Sequence, residues 1–175
     1  MKHRKLKLQE LNRPSVDEFR GAPKIALRVI LDNIRSFNNV GSVFRTSDCF
    51  AIEKLYLCGI TACPPHREIH KTAIGATESV EWEQQVDTLS LVQNLQDDGW
   101  KVYAIEQTEH SVMLDDFVPE GKLAIVMGNE VDGVQQAVID QCDGVIEVPQ
   151  EGTKHSLNIS VCTGVVLWDL RRKMR

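Results

Sequence analysis

The chain has no apolar run approaching the roughly 20 residues of a membrane span, and its N-terminus lacks the apolar core of a secretion signal. A cytoplasmic protein with no membrane partner is the expectation. It also has no C-x-x-C pair. The five cysteines, Cys49, Cys58, Cys63, Cys142 and Cys162, are odd in number and lie mostly within apolar segments, which argues for reduced, structural thiols. Neither G-x-G-x-x-G nor G-K-[ST] occurs, so a dinucleotide or a nucleoside triphosphate is not the expected ligand. Positive charge is in short supply: 20 Lys and Arg face 25 Asp and Glu, a net charge of −5. Spread evenly, that balance would argue against a nucleic-acid partner. It is not spread evenly. Lys2, Arg4, Lys5, Lys7, Arg171, Arg172, Lys173 and Arg175 place eight of the 20 basic residues at the two ends of the chain and leave the interior strongly acidic.

With 175 residues, 42% of them hydrophobic, the chain has enough material for one substantial core. No repeat, low-complexity tract or linker breaks residues 24–170. Within them, Lys24–Leu31, Lys54–Cys58, Ser79–Trp82, Lys101–Ile105, Leu123–Met127 and Val145–Val148 read as short strands. Helical patterns fall between them: one running to Phe50 after a polar stretch, then Ile69–Ile74, Thr88–Gln96, Val134–Gln141 and Leu157–Arg172, the last capped by Ser156. This alternation predicts an α/β fold, a mainly parallel sheet with helices on both faces. Residues 1–20 read differently: Leu6, Leu8, Leu11 and Phe19 among charged residues and Pro14 suggest a basic N-terminal arm, a short helix and a turn, ahead of one domain over 21–175.

Ligands of parallel sheets bind in the loops beyond the strand C-termini, and three polar clusters fall at such points. The first is Asn38-Asn39-Val40-Gly41-Ser42-Val43-Phe44-Arg45-Thr46. Gly41 permits close backbone approach, and Arg45, about two turns beyond Asn39, is either a snorkelling side chain or a clamp for an anion or ribose. The second, Met127-Gly128-Asn129-Glu130-Val131-Asp132-Gly133, has glycines suited to a tight turn and carboxylates that would repel phosphate, so it suits a cationic ligand or one presenting an amine and hydroxyls. The third runs through Val148, Pro149, Gly152 and Ser156 to Asn158, where a loop entering a helix offers free backbone N–H groups beside two neutral hydrogen-bonding side chains. His155 next to Ser156 does not make a hydrolase, because sequence neighbours rarely align as nucleophile and base. Cys63-x-x-His66-x-x-x-His70 has metal-like spacing but no completing ligand nearby, so no metal is expected.

In this order the clusters resemble the three motifs of the SpoU/TrmH-type RNA ribose 2'-O-methyltransferases of the SPOUT superfamily. Asn39-x-Gly41-x-x-x-Arg45-Thr46 is similar to the first motif, Ile125-Val126-Met127-Gly128-Asn129-Glu130-x-x-Gly133 to the second, and Val148-Pro149-x-x-Gly152-x-x-x-Ser156-Leu157-Asn158-Ile159-Ser160-Val161 to the third. Lys71-Thr72-Ala73-x-Gly75-Ala76-x-x-Ser79-Val80 is similar to the family too. The resemblance covers roughly residues 24–170. It implies that residues 21–175 form a SPOUT-like methyltransferase domain with a C-terminal trefoil knot, which connection rules alone would have excluded. It implies S-adenosylmethionine as methyl donor, held by backbone at Ile105, Gly128, Val148 and Leu157, and a homodimer whose active site is shared between subunits. It implies that Arg45 acts on the ribose 2'-hydroxyl while Asn39, Glu130, Ser156 and Asn158 organise the site. A guanidinium stays protonated under nearly all conditions, so Arg45 suits stabilisation of a developing alkoxide better than proton removal.

The leading expectation is therefore a methyltransferase acting on RNA, with transfer RNA favoured over ribosomal RNA because a compact core with short basic ends suits a small folded substrate. No separate RNA-binding domain is expected, so recognition falls to the dimer surface and the arm. A non-catalytic RNA-binding relative of the same fold is the alternative, and an α/β enzyme for a small metabolite fits the acidic interior but leaves the basic ends without a use. Gly164 and Trp168 on the final helix suit either a dimer contact or a buried intrachain helix.

Overall fold

A computed structural model of the protein describes residues 3–175; Lys2, assigned to the basic arm, lies outside them. Seven strands form one sheet, every pairing parallel: β1 (Ile25–Asp32), β2 (Ile52–Cys58), β3 (Trp82–Gln85), β4 (Lys101–Ile105), β5 (Val112–Met113), β6 (Leu123–Met127) and β7 (Gly144–Glu147). Seven helices accompany them: α1 (Val16–Gly21), α2 (Phe37–Phe50), α3 (Arg67–Ala73), α4 (Ala76–Ser79), α5 (Thr88–Asp97), α6 (Gln136–Gln141) and α7 (Ile159–Lys173), with a 3-10 turn at Leu8–Leu11 in the arm. The strand order is β3-β2-β1-β6-β4-β7-β5. Leu123–Met127 is buried at every position, as a central parallel strand covered on both faces must be.

Side-chain alternation divides the core between the two faces. On one, Leu27, Val29, Leu31, Leu55, Leu57, Leu123, Ile125 and Met127 meet α2, α3 and α7 through Val40, Val43, Phe44, Ile69, Val166, Leu167 and Leu170. On the other, Ile30, Tyr56, Val102, Ala104, Ala124 and Val126 meet α5 and α6 through Leu91, Val92, Leu95 and Val138. The expected two-faced α/β arrangement is thus the observed one. Both late strands take positions between earlier ones, β6 between β1 and β4, and β7 between β4 and β5. This strand order does not by itself show the trefoil knot that the resemblance implies.

Three local expectations are corrected. Ser79–Trp82 is not a strand: Ser79 ends α4, where its hydroxyl donates to the Ala76 carbonyl and to Asp48, and the strand starts at Trp82. The last helix begins at Ile159, not Leu157. Its cap is Asn158 rather than Ser156, because the Asn158 Oδ1 accepts from Ser160 N at 2.9 Å and Val161 N at 3.4 Å. Strand β5, two exposed residues at the sheet edge, carries no pattern that marks it.

Gly41 does permit a close approach, but to a helix rather than to a ligand. A Cβ there would lie 2.1 Å from Thr72 Oγ1 and 2.3 Å from the Ile69 carbonyl oxygen, where α2 crosses α3. Gly41→Ala is therefore expected to force the helices apart and cost about 1–3 kcal/mol. A thermal melt several degrees below wild type would show it, and an unchanged melting temperature would refute the close packing.

Among the described residues no helix is long and apolar enough to cross a membrane. The cysteines form no disulfides. Burial pushes the Cys58 and Cys142 thiols up to about 12, so both stay protonated and unreactive.

Candidate active site

Parallel register brings the strand C-termini into line. Ile105 of β4 pairs with Met127 of β6 and with Ile146 of β7, so the loops after these three strands rise side by side. With the segment entering α7 they enclose a cleft of about 530 Å³. Ile105, Gly128, Val148 and Leu157, the four expected cofactor contacts, all line it, and so do Glu130, Ser156 and Asn158.

The Gly128 loop is held closed by its own backbone: Asn129 N donates to Gly133 O and Gly133 N to Asn129 O, both at 3.0 Å. The Asn129 side chain adds further ties. Its Oδ1 accepts from Val131 N at 2.9 Å and Asp132 N at 3.2 Å, while Nδ2 donates to the Asn33 carbonyl at 2.7 Å, joining the loops after β6 and β1.

Glu130 clamps the start of α2. Its Oε2 accepts from Arg35 N at 2.9 Å, and its Oε1 from Ser36 N at 3.0 Å and Asn39 Nδ2 at 2.9 Å. A carboxylate at a helix N-terminus also meets the positive end of the helix dipole. Asn39 then accepts at Oδ1 from Asn158 Nδ2 at 3.2 Å, and Asn158 caps α7. One side-chain relay, Glu130 to Asn39 to Asn158, therefore joins all three sequence clusters at the rim of the cleft.

Burial by itself would raise the Glu130 carboxyl, but the hydrogen bonds from Arg35 N–H, the Asn39 amide and Ser36 N–H outweigh it and hold the group below the ordinary carboxylate value. A depressed folded pKa contributes stability above the unfolded value, near 4.3, and that contribution is lost as pH falls through the folded one. Wild type is therefore expected to melt above Glu130→Gln near neutral pH, with the gap closing below about pH 4. Paired melts across that range check this; a pH-independent gap would contradict the clamp.

Ser156 is exposed on the loop wall, released by the shift of the cap to Asn158. Neither Asn39 nor Arg45 lines the cleft; Asn39 is tied to it through Glu130 and Asn158, while Arg45 is exposed on α2. The metal-like spacing disperses into separate contacts. His66 Nδ1 caps α3, His70 Nδ1 lies 3.5 Å from Thr77 Oγ1, and Cys63 Sγ donates to the Thr61 carbonyl. Among the described residues no group of three or more candidate ligands converges.

Glu106 is a cleft residue that the sequence reading passes over. Its carboxylate accepts from Val134 N at 3.1 Å and from Gln107 N at 2.9 Å, which braces the Gly128 loop from the β4 side. The family resemblance gives Ile105 and stops there; the strand-end rule, applied to the loop after β4, would have reached Glu106. Gln107, Gln150 and Cys162 also line the cleft, and burial raises the Cys162 thiol to about 11.

Known proteins are similar to this chain in sequence and in fold. The 23S rRNA (guanosine-2'-O-)-methyltransferase RlmB of Vibrio parahaemolyticus is 28% identical over 166 residues, 94% of this chain and 66% of that protein. RlmB of Escherichia coli is 28% identical over 146 residues, 83% of this chain and 59% of that protein. The chain thus spans about two-thirds or less of the length of these curated relatives. Among solved structures, the A. aeolicus TrmH/SpoU tRNA modifying enzyme superposes with a TM-score of 0.81 at 23% identity, covering 90% of this chain and 80% of that one, a likeness of fold. The AdoMet-bound rRNA methyltransferase from Sinorhizobium meliloti superposes with a TM-score of 0.79 at 25% identity, covering 88% and 59%. The profile of the SpoU rRNA Methylase family matches residues 26–168, which include all three clusters. The chain belongs to the SpoU rRNA Methylase family.

Proposed function

We propose that the chain transfers a methyl group from S-adenosylmethionine to a ribose 2'-hydroxyl of RNA. The observation that carries this is the relay of Glu130, Asn39 and Asn158 along the rim of a cleft floored by Ile105, Gly128, Val148 and Leu157. The cleft suits the cofactor chemically. Ile105, Met127, Val148, Leu157 and Ile159 offer apolar walls to a purine, and Glu106 and Asp132 offer acceptors to an ammonium group and hydroxyls. When bound, S-adenosylmethionine supplies a methyl group on a cationic sulfur that is already activated.

What remains for the protein is alignment and charge. Glu130 fixes the start of α2 and so fixes Asn39; Asn39 and Asn158 hold each other and keep the rim rigid, and Ser156 presents a hydroxyl to whatever enters. Arg45, permanently cationic, stabilises the oxygen as it loses its proton. Because it lies outside the cleft of its own chain, we assign its action to the cleft of a second copy. An exposed stripe on α7 supports that assignment: Val161, Val165 and Trp168 are 54%, 41% and 58% accessible, and nothing lies within 4 Å of where a Gly164 Cβ would stand. Of the two sequence-level readings of Gly164, the exposed dimer face fits this geometry. The arm and the basic end of α7 are the proposed sources of phosphate contacts, and the cytoplasm the proposed location.

For the substrate, the argument from compactness toward transfer RNA gains nothing from the curated relatives, whose names specify 23S rRNA. Ribosomal RNA is therefore the substrate to test first and transfer RNA second. The non-catalytic alternative has less support, since every residue of the three motifs is present. Calorimetric titration of the purified protein with S-adenosylmethionine separates the two: saturable one-to-one binding supports the enzyme, and a well-folded protein that takes up none would sink it.

A further inference from the structure

Phe37 and His66 form a stacked pair that the relay and the cleft do not use. Their ring centroids are 3.9 Å apart with planes 6° from parallel, yet Phe37 remains 38% exposed. Neither ring is free to wander. Phe37 is the first residue of α2, directly after Ser36, whose N–H is bound to Glu130, and two before Asn39, whose amide is bound to the same carboxylate. His66 accepts at Nδ1 from Glu68 N at 3.3 Å, which fixes the ring's orientation. Exposed cations neighbour the pair in sequence, Arg35 two residues before Phe37 and Arg67 and Lys71 following His66; Arg67 and Lys71 are 94% and 72% accessible, and among the described residues their ion pairs are with Glu68, at 4.0 and 3.8 Å.

A flat π surface fixed beside the catalytic rim and flanked by cations matches one occupant chemically, an unstacked nucleobase with its phosphates. Resting on the reading of this chain as an RNA ribose methyltransferase, we infer that Phe37 and His66 are a stacking platform for a nucleobase next to the ribose that receives the methyl group. Arg67 and Lys71 take the adjoining phosphates. The platform selects a target nucleotide in a loop or bulge, since a base held within a duplex cannot reach it. The competing view is that Phe37 only packs α2 against α3. Apolar bulk alone would satisfy that role, whereas stacking needs the ring.

Steady-state methyl transfer from labelled S-adenosylmethionine to deproteinised ribosomal RNA and to bulk transfer RNA separates these views, using whichever RNA the wild-type protein methylates. Phe37→Leu keeps the bulk and removes the ring, Phe37→Trp keeps a π face, and His66→Asn removes the other ring while retaining a good helix cap. Phe37→Leu and His66→Asn are each expected to raise KM for RNA about tenfold with S-adenosylmethionine affinity and melting temperature unchanged, and Phe37→Trp to stay near wild type. An unchanged KM in both ring-deleting variants, or a KM rise matched by lost cofactor binding and a lower melting temperature in both, overturns the platform while the methyltransferase reading stands. A wild-type protein that methylates neither RNA overturns both.

Discussion

Arg45→Ala will abolish methyl transfer, by about 10²–10³-fold or more in kcat, while S-adenosylmethionine binds nearly as well as to wild type. The split follows from position. The proposed cofactor contacts line the cleft, on the loops after β4, β6 and β7 and at the entry to α7, whereas Arg45 is exposed on α2, outside the cleft. Removing it leaves the cleft intact and takes away the cation proposed to stabilise a developing alkoxide. Calorimetry for the cofactor and a single-turnover assay for the methyl group measure the two effects separately. Equal loss of both would make Arg45 a structural residue. If a second copy's cleft is where it acts, co-expression of Arg45→Ala with a chain that cannot bind cofactor should recover part of the wild-type rate, because mixed dimers hold one complete site.

Gly128→Ala is the chain that cannot bind cofactor. A Cβ at position 128 would lie 2.2 Å from both Gly133 C and Val134 N and 2.6 Å from Gly133 O, all of them backbone. No side chain is there to rotate away, so the loop must open. Opening it breaks the paired Asn129–Gly133 hydrogen bonds and moves Val134 N from Glu106. The expected result is a fall in S-adenosylmethionine affinity of about 100-fold, the ~3 kcal/mol that overpacking costs, and a melting temperature lower by several degrees. Titration and thermal melts check both. Wild-type affinity in this variant would mean that the loop is not a wall of the cofactor site.

These two residues also show how far the sequence could be read. The cleft wall was legible in part: the rule that ligands sit beyond the C-termini of parallel strands picks out the loops after β6 and β7, the family resemblance adds Ile105 at the end of β4, and register aligns Ile105 with Met127 and Ile146. The relay was not legible as geometry. Glu130 and Asn39 are 91 residues apart, and Asn158 and Asn39 are 119 apart, so no local pattern announces that these side chains meet. Ser156 and Asn158 both suit an N-cap, and Asn158 took the position because its amide also reaches Asn39. Gly41 was legible as a site of close approach but not its neighbour, since which helix crosses α2 depends on the order of the sheet. Phe37 falls in the polar stretch that the sequence places before the first helical pattern, whereas α2 starts at it, and only the return of the chain at His66 gives it a stacking partner.

The most direct test is nucleoside mass spectrometry of RNA from cells lacking this protein, incubated with the purified protein and S-adenosylmethionine. The account predicts the appearance of one 2'-O-methylated nucleoside with wild type and none with Arg45→Ala. A methyl group on a base, or no new methylation in ribosomal or transfer RNA by protein that binds the cofactor, would contradict it.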